Sequence, residues 1–102
     1  MTKLKGNSAV VFEYVKEHED ENVTVKDIAA ALDLDPRQVN GIITAAFQRH
    51  REEVGEEKVI VPLMERVEGE VEIEKEDGTL KHETVKFIKL TDAGRDFTYE
   101  TE

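Results

Sequence analysis

The sequence predicts an α+β domain in which three helices precede a β-hairpin. Three observations carry that expectation. Asp35-Pro36-Arg37-Gln38 is a strong helix start, and an apolar stripe of Val39, Ile42, Ile43, Ala46 and Phe47 follows it. Beyond Gly55 the helical period gives way to strand alternation. Val67, Val71 and Ile73 share one parity, and Glu68, Glu70, Glu72 and Glu74 hold the other, which implies one wet face. Glu76-Asp77-Gly78-Thr79 then reads as a hairpin turn, with Val85-Lys86-Phe87-Ile88-Lys89-Leu90 as the return strand.

Taken in order, Asn7 or Ser8 caps a first helix running to about Glu19. Val10, Val11, Tyr14 and Val15 recur there at helical spacing, with Phe12 adding bulk. His18 to Asn22 is a polar loop. Val23-Thr24-Val25 is either a brief strand or the lead-in to the second helix, where Thr24 and Asp27 resemble a capping box. That helix covers about Lys26 to Leu32 and buries Ile28, Ala29 and Leu32, while Leu34 plugs the core after a tight turn. The third helix runs from Pro36 to about Arg51, or as far as Glu53, with Gly55 as its stop. Its polar stripe is Arg37, Gly41, Thr44, Gln48 and Arg51. Val59-Ile60-Val61 opens a hairpin spanning about 59–90, and Pro62 interrupts it or sets it at an edge. Gly69 falls on the apolar parity and marks a candidate bulge. Thr91-Asp92-Ala93-Gly94 ends the strand in a turn or a helical stub. The tail 96–102 is expected to fray, with Phe97 and Tyr99 its two candidates for docking.

Composition narrows the classes. A chain of 102 residues suits one domain. It has no cysteine, which excludes a disulfide scaffold, thiol catalysis and thiolate zinc sites. No apolar run approaches the roughly 18 residues of a membrane span. The N-terminal Met1-Thr2-Lys3-Leu4-Lys5-Gly6-Asn7 has no apolar segment behind its lysines, so no signal peptide and no membrane partner are expected, and the cytoplasm is the expected compartment.

Lys+Arg number 14 against 24 Asp+Glu, for a net charge of −10. That charge is unevenly placed. Residues 1–51 carry 7 basic and 8 acidic side chains, whereas residues 52–102 carry 7 and 16. From Pro36 to Arg51 there is no carboxylate, only Arg37, Arg49, Arg51 and His50 among ionisable groups. The pattern suits a surface kept clear for a polyanion.

Three helices and a hairpin wing make the layout of a winged helix-turn-helix, with the helix-turn-helix at about 24–53. The run Val39 to Phe47, the Glu76-Asp77-Gly78-Thr79 turn and Phe87 to Arg95 resemble small bacterial and phage winged helix regulators. Leu90-Thr91-x-x-Gly94-Arg95 is similar to the strand-to-helix junction of MarR-type regulators. The likeness covers about residues 8–97. It implies that the third helix is a recognition helix and the hairpin a wing. MarR-type proteins also carry extra terminal helices that form a dimer and shape a ligand pocket; none is expected within residues 1–102, so the dimer and the effector response are not carried over. The wing is also unusually acidic for one that touches phosphates.

The expected activity is therefore sequence-specific binding of double-stranded DNA by a small transcriptional regulator. Arg37, Gln38, Asn40, Thr44 and Gln48 are the candidate base-reading residues, because Arg pairs bidentately with guanine and Asn or Gln with adenine. Arg49 and Arg51, with Lys75 and Lys81 flanking the wing turn, are candidate phosphate contacts. Each has a plainer alternative. Gly41 permits close approach to DNA or relieves a helix crossing. Arg49 and Arg51 complement the helix dipole. The wing lysines protect strand edges. The glutamate row is a solvated face, or else a protein-binding surface or a partial mimic of nucleic-acid charge. That last possibility gives the second reading, a protein-interaction module acting through its acidic hairpin. No catalytic constellation stands out, since His18, His50 and His82 are scattered, so no enzyme activity, cofactor or metal is expected.

Overall fold

A short parallel pair ties the two ends of the chain together. Strand β1 (Lys3–Leu4) lies beside β6 (Glu100–Thr101) in the computed structural model, which describes residues 3–101. Met1, Thr2 and Glu102, the last residue of the expected frayed tail, lie outside the described residues. Between the pair come α1 (Gly6–Glu17), α2 (Val25–Leu32), α3 (Pro36–Ile42) with a π-helical extension (Ile43–Gln48), then β2 (Arg51–Val54), β3 (Glu57–Ile60), β4 (Met64–Glu74), β5 (Leu80–Leu90) and α4 (Asp92–Arg95). The architecture is mixed α+β, with two antiparallel hairpins.

Pairing at the termini corrects two expectations. Anchored by β1, α1 begins at Gly6, with Lys5 at the cap and no side-chain cap, so Asn7 and Ser8 lie inside the helix. The tail does not fray through the residues described. Phe97 and Tyr99 pack edge-on against Phe12 at 5.5 and 5.4 Å between ring centres, and Phe47 tilts against it at 5.6 Å. Phe12 is fully buried, along with Val11 and Val15, whereas Val10 faces solvent.

Helix α2 starts where its chemistry dictates. The Thr24 hydroxyl accepts from the Asp27 amide at 3.2 Å, and the Asp27 carboxylate accepts from the Thr24 amide at 3.0 Å. Val23 leads in, and its carbonyl accepts from the Ile88 amide at 2.8 Å, so this segment borders β5 without forming a strand of its own. Ile28 and Ala29 are buried, with Leu32 and Leu34 half-buried against the core.

The third helix is shorter than its sequence pattern suggests. It turns π-helical at Ile43 and ends at Gln48, where the Arg49 amide donates to the Thr44 carbonyl at 3.1 Å. The Phe47 carbonyl is taken by the Leu63 amide at 2.8 Å, and the His50 carbonyl by the Val61 amide at 2.7 Å. These two bonds close the base of an excursion, β2–β3, that the sequence pattern divides between the helix and the wing. Gly55, at φ +66°, forms its tight turn and is not a helix stop. Either role needs a positive φ, which is why the residue type alone misled.

The long hairpin pairs β4 and β5 without a break from Met64–Leu90 to Glu74–Leu80, so it occupies 64–90 and not 59–90. Gly69 sits opposite Val85 in register; it is no bulge, and the Phe87 ring lies over it. At the turn, Gly78 takes φ +85° and the Asp77 carboxylate accepts from both the amide and hydroxyl of Thr79. Those bonds hold the Asp77 carboxyl below its usual range. Only the base of the ribbon, at Met64, Ile88 and Leu90, is buried. The outer part leaves the core, and the molecule measures 59 Å by 24 by 22 Å. The expected single wet face is corrected as well: Val67 and Ile73 on the apolar parity are exposed.

One pH dependence follows from the closed termini. Tyr99 donates to the Glu13 carboxylate, and burial first, then that bond, push its hydroxyl up from 10.0 to about 12. A raised acid favours the neutral phenol in the folded state. Its contribution is therefore complete below pH 10 and is lost as pH rises toward 12. Tyr99→Phe should flatten the alkaline limb of a melting-temperature profile; an unchanged limb would refute the assignment.

Candidate nucleic-acid interface

The candidate face is built on α3. Asp35 caps it, its carboxylate accepting from the Arg37 amide at 2.8 Å, and Pro36 occupies the first turn. Val39, Ile43 and Phe47 are buried, which fixes the helix roll and turns Arg37, Gln38, Asn40, Gly41, Ala45 and Arg49 to solvent. No carboxylate interrupts this face from Pro36 to Gln48.

Two of the expected base readers are engaged elsewhere. Arg66 of β4 donates from Nη2 to the Thr44 hydroxyl at 3.1 Å and from Nε to the Gln48 side-chain oxygen at 3.2 Å. Both are half-buried, so Thr44 and Gln48 bind the hairpin base to the helix. The π-helical turn contributes to this. It inserts an extra residue into the helical repeat, so the stripe expected from an uninterrupted helix slips after Ile42. Arg51 has left the helix and stands exposed on β2 opposite Ile60. Lys75 and Lys81 are exposed at the far end of the hairpin. Ile73, the partner of Lys81, lies seven positions along β4 from Arg66, which is roughly 23 Å. Of the nine candidates, Arg37, Gln38 and Asn40 stay exposed in the first turns of α3 and Arg49 at its far end, whereas the other five are bonded to the hairpin or lie off the helix.

Arg66 escaped the sequence reading, although it is the single basic residue in the run Met64–Glu74. A lone cation in an acidic strand is a signal that something needs it. Replacing it with methionine keeps the apolar stem and removes two charge-assisted bonds, each net about 1.5–3 kcal/mol when well buried. At this half-buried site a total loss of about 2 kcal/mol in denaturant unfolding is expected; a neutral result would mean the bonds are not formed in solution.

Lys3 and Lys5 were also missed. With Ser8 they border an open groove whose other wall is Gln38, Gly41, Ile42, Ala45 and Ala46. Gly41 faces open space here, so it relieves no helix crossing. The hairpin presents the opposite charge. Its register puts Glu68, Glu70, Glu72 and Glu74 on one pleat face, opposite Lys86, Thr84, His82 and Leu80. Glu72 lies 3.8 Å from His82.

His50 closes the C-terminal end of α3. It is buried edge-on to Phe97 at 5.1 Å, and its Nε2, 3.4 Å from a Glu52 oxygen, lacks hydrogen-bond geometry to any partner. Among the described residues no group of three or more His, Asp or Glu side chains is placed to hold a metal, and no helix is long and apolar enough to cross a membrane. The chain matches no family model, no curated protein and no solved structure.

Proposed function

We propose that this chain is a cytoplasmic winged helix protein that binds double-stranded DNA through α3. The observation that carries the reading is the exposed, carboxylate-free face of α3 in a chain of net charge −10. Arg37, Gln38 and Asn40 stand near the helix start, where major-groove readers of this type make their base contacts. Arg49 at the helix end, and Lys3 and Lys5 across the groove from Gln38 and Gly41, provide the positive charge that phosphates require. Small side chains at Gly41 and Ala45 permit close approach. Arg66 fixes the angle between helix and wing, with Thr44 and Gln48 serving that joint instead of reading bases.

A gel shift against random duplex at about 50 mM salt tests the reading, and loss of binding as salt rises is expected. Arg37→Ala and Asn40→Ala should weaken a selected sequence more than random duplex, each by about 1–3 kcal/mol. Equal losses on all sequences would make both residues phosphate contacts. Absence of any duplex binding by the wild-type chain would favour the second reading, protein interaction through the hairpin. That alternative is supported by the four glutamates sharing one pleat face.

A further inference from the structure

We infer that a bound duplex runs along the β1 side of α3 and that the long hairpin is held off it, an inference that rests on the duplex reading above. The hairpin turns its acidic face toward the helices. Its pairing has no bulge, so alternate residues keep to one side of the ribbon. Met64, Arg66 and the four glutamates 68, 70, 72 and 74 share one side of β4, with Ile88 and Leu90 beside them on β5. Met64, Ile88 and Leu90 are buried in the core, and Arg66 reaches Thr44 and Gln48 on α3. The side that packs on the helices at the base is therefore the side that carries the glutamates farther out. Glutamates two apart on a strand lie about 6–7 Å from each other, inside the Debye length of about 8 Å at physiological salt, so phosphates reaching toward the hairpin meet an unbroken negative row.

The cations of the hairpin do not offset that row. Lys86 lies opposite Glu68 in the register, and His82 lies 3.8 Å from Glu72. Lys75 sits between Glu74 and Glu76, and Lys81 pairs with Ile73, on the other pleat face. Lys26, Arg66 and Lys86 border a cleft beside the start of α2, but Glu83 shares its wall. The other flank of α3 is different. There the groove of about 530 Å³ is walled by Lys3, Lys5 and Ser8 against Gln38, Gly41 and Ala45, and it continues past Gly6 and Asn7. No carboxylate lines it among the described residues, and neither lysine has an ion-pair partner there. Both lysines are presented by anchored backbone. Leu4 between them is buried, β1 is paired with β6, and the chain is still extended at Lys5, so alternation turns both lysines outward on the same side. Gly41 and Ala45 keep the opposite wall low, which lets a sugar-phosphate strand settle between the lysines and the helix.

Filter binding of the full chain to a random duplex, from about 50 to 200 mM salt, reads the path as the slope of log affinity against log salt, which changes by about one for each phosphate cation. Lys3→Gln with Lys5→Gln should lower that slope by about two. Lys75→Gln with Lys81→Gln should leave it within about 0.5 of the wild type. Replacing Glu68, Glu70, Glu72 and Glu74 together by glutamine should raise affinity at least about threefold at 50 mM salt and less at 200 mM, because the Debye length shortens. Circular dichroism melting confirms that all three variants fold. A slope lowered by the tip pair, or unmoved by the Lys3 and Lys5 pair, would overturn the inference and leave the duplex reading standing. So would a glutamine variant that binds no more tightly than the wild type. A wild-type chain that binds no duplex at about 50 mM salt would overturn both.

Discussion

Phe12→Ala is expected to remove about 3–5 kcal/mol of stability, the usual cost of deleting a fully buried aromatic ring. Small domains hold only about 5–15 kcal/mol in total, so this variant should lose a large share of its stability and melt well below the wild type. Phe12 is the centre of the core. Phe47 packs on it from the end of α3, and Phe97 and Tyr99 pack on it from the C-terminal segment. Removing the ring leaves a cavity bounded by elements from both ends of the chain, which cannot collapse without shifting α1. Phe12→Leu, which refills part of the volume, should recover more than half of the loss. Chemical denaturation gives both numbers, and a loss below about 1.5 kcal/mol for the alanine variant would mean that the C-terminal rings do not dock in solution.

Gly94→Ala should be nearly as damaging, for the opposite reason. A methyl group there would lie 2.0 Å from the Leu63 carbonyl oxygen and 3.3 Å from the Leu90 side chain. That carbonyl is fixed, since it accepts from the Thr91 amide at 3.0 Å, and the Thr91 hydroxyl donates to the Pro62 carbonyl at 2.6 Å. Relief requires backbone movement of α4 away from the start of β4. A cost of about 3 kcal/mol is expected, at the upper end for overpacking. The melting point should fall by roughly 4–8 °C for each kcal/mol. Gly69→Ala is the control. Its new methyl group would meet the Phe87 ring at 2.3 Å, but that ring is the end of a half-exposed side chain and can swing aside. Its net cost should stay under about 1 kcal/mol, since alanine also removes the entropic penalty of a strand glycine. Equal melting points for the two variants would show that the α4 junction is looser than drawn.

Much of the chain was legible without tertiary structure because its signals are local. Thr24 with Asp27, and Asp35 with Arg37, fix two helix starts through bonds spanning no more than three residues. Asp77-Gly78-Thr79 fixes a turn in the same way. The alternation around Val71 fixes which side chains share a pleat face, since a strand has only two. The acid-free run from Pro36 to Arg51 is likewise a property of the sequence itself.

What only the tertiary structure decided depends on groups distant in the chain. Periodicity extends α3 toward Glu53, yet the Phe47 and His50 carbonyls are claimed by Leu63 and Val61, and the helix gives way to a second hairpin. Thr44 and Gln48 fall on the polar stripe, but Arg66, 22 and 18 residues away, takes both. A polar side chain reads the same in sequence whether its partner is a base edge, a water or an arginine on another element. The tail reads as a terminus free to fray, until β1 offers it a strand and Phe12 a surface. Sequence therefore determined where α2 and α3 start, which hairpin residues share a pleat face and where charge is withheld, because those depend on neighbours along the backbone. Which polar groups remain free to act was decided by packing, because hydrogen-bond partners are chosen by proximity in space.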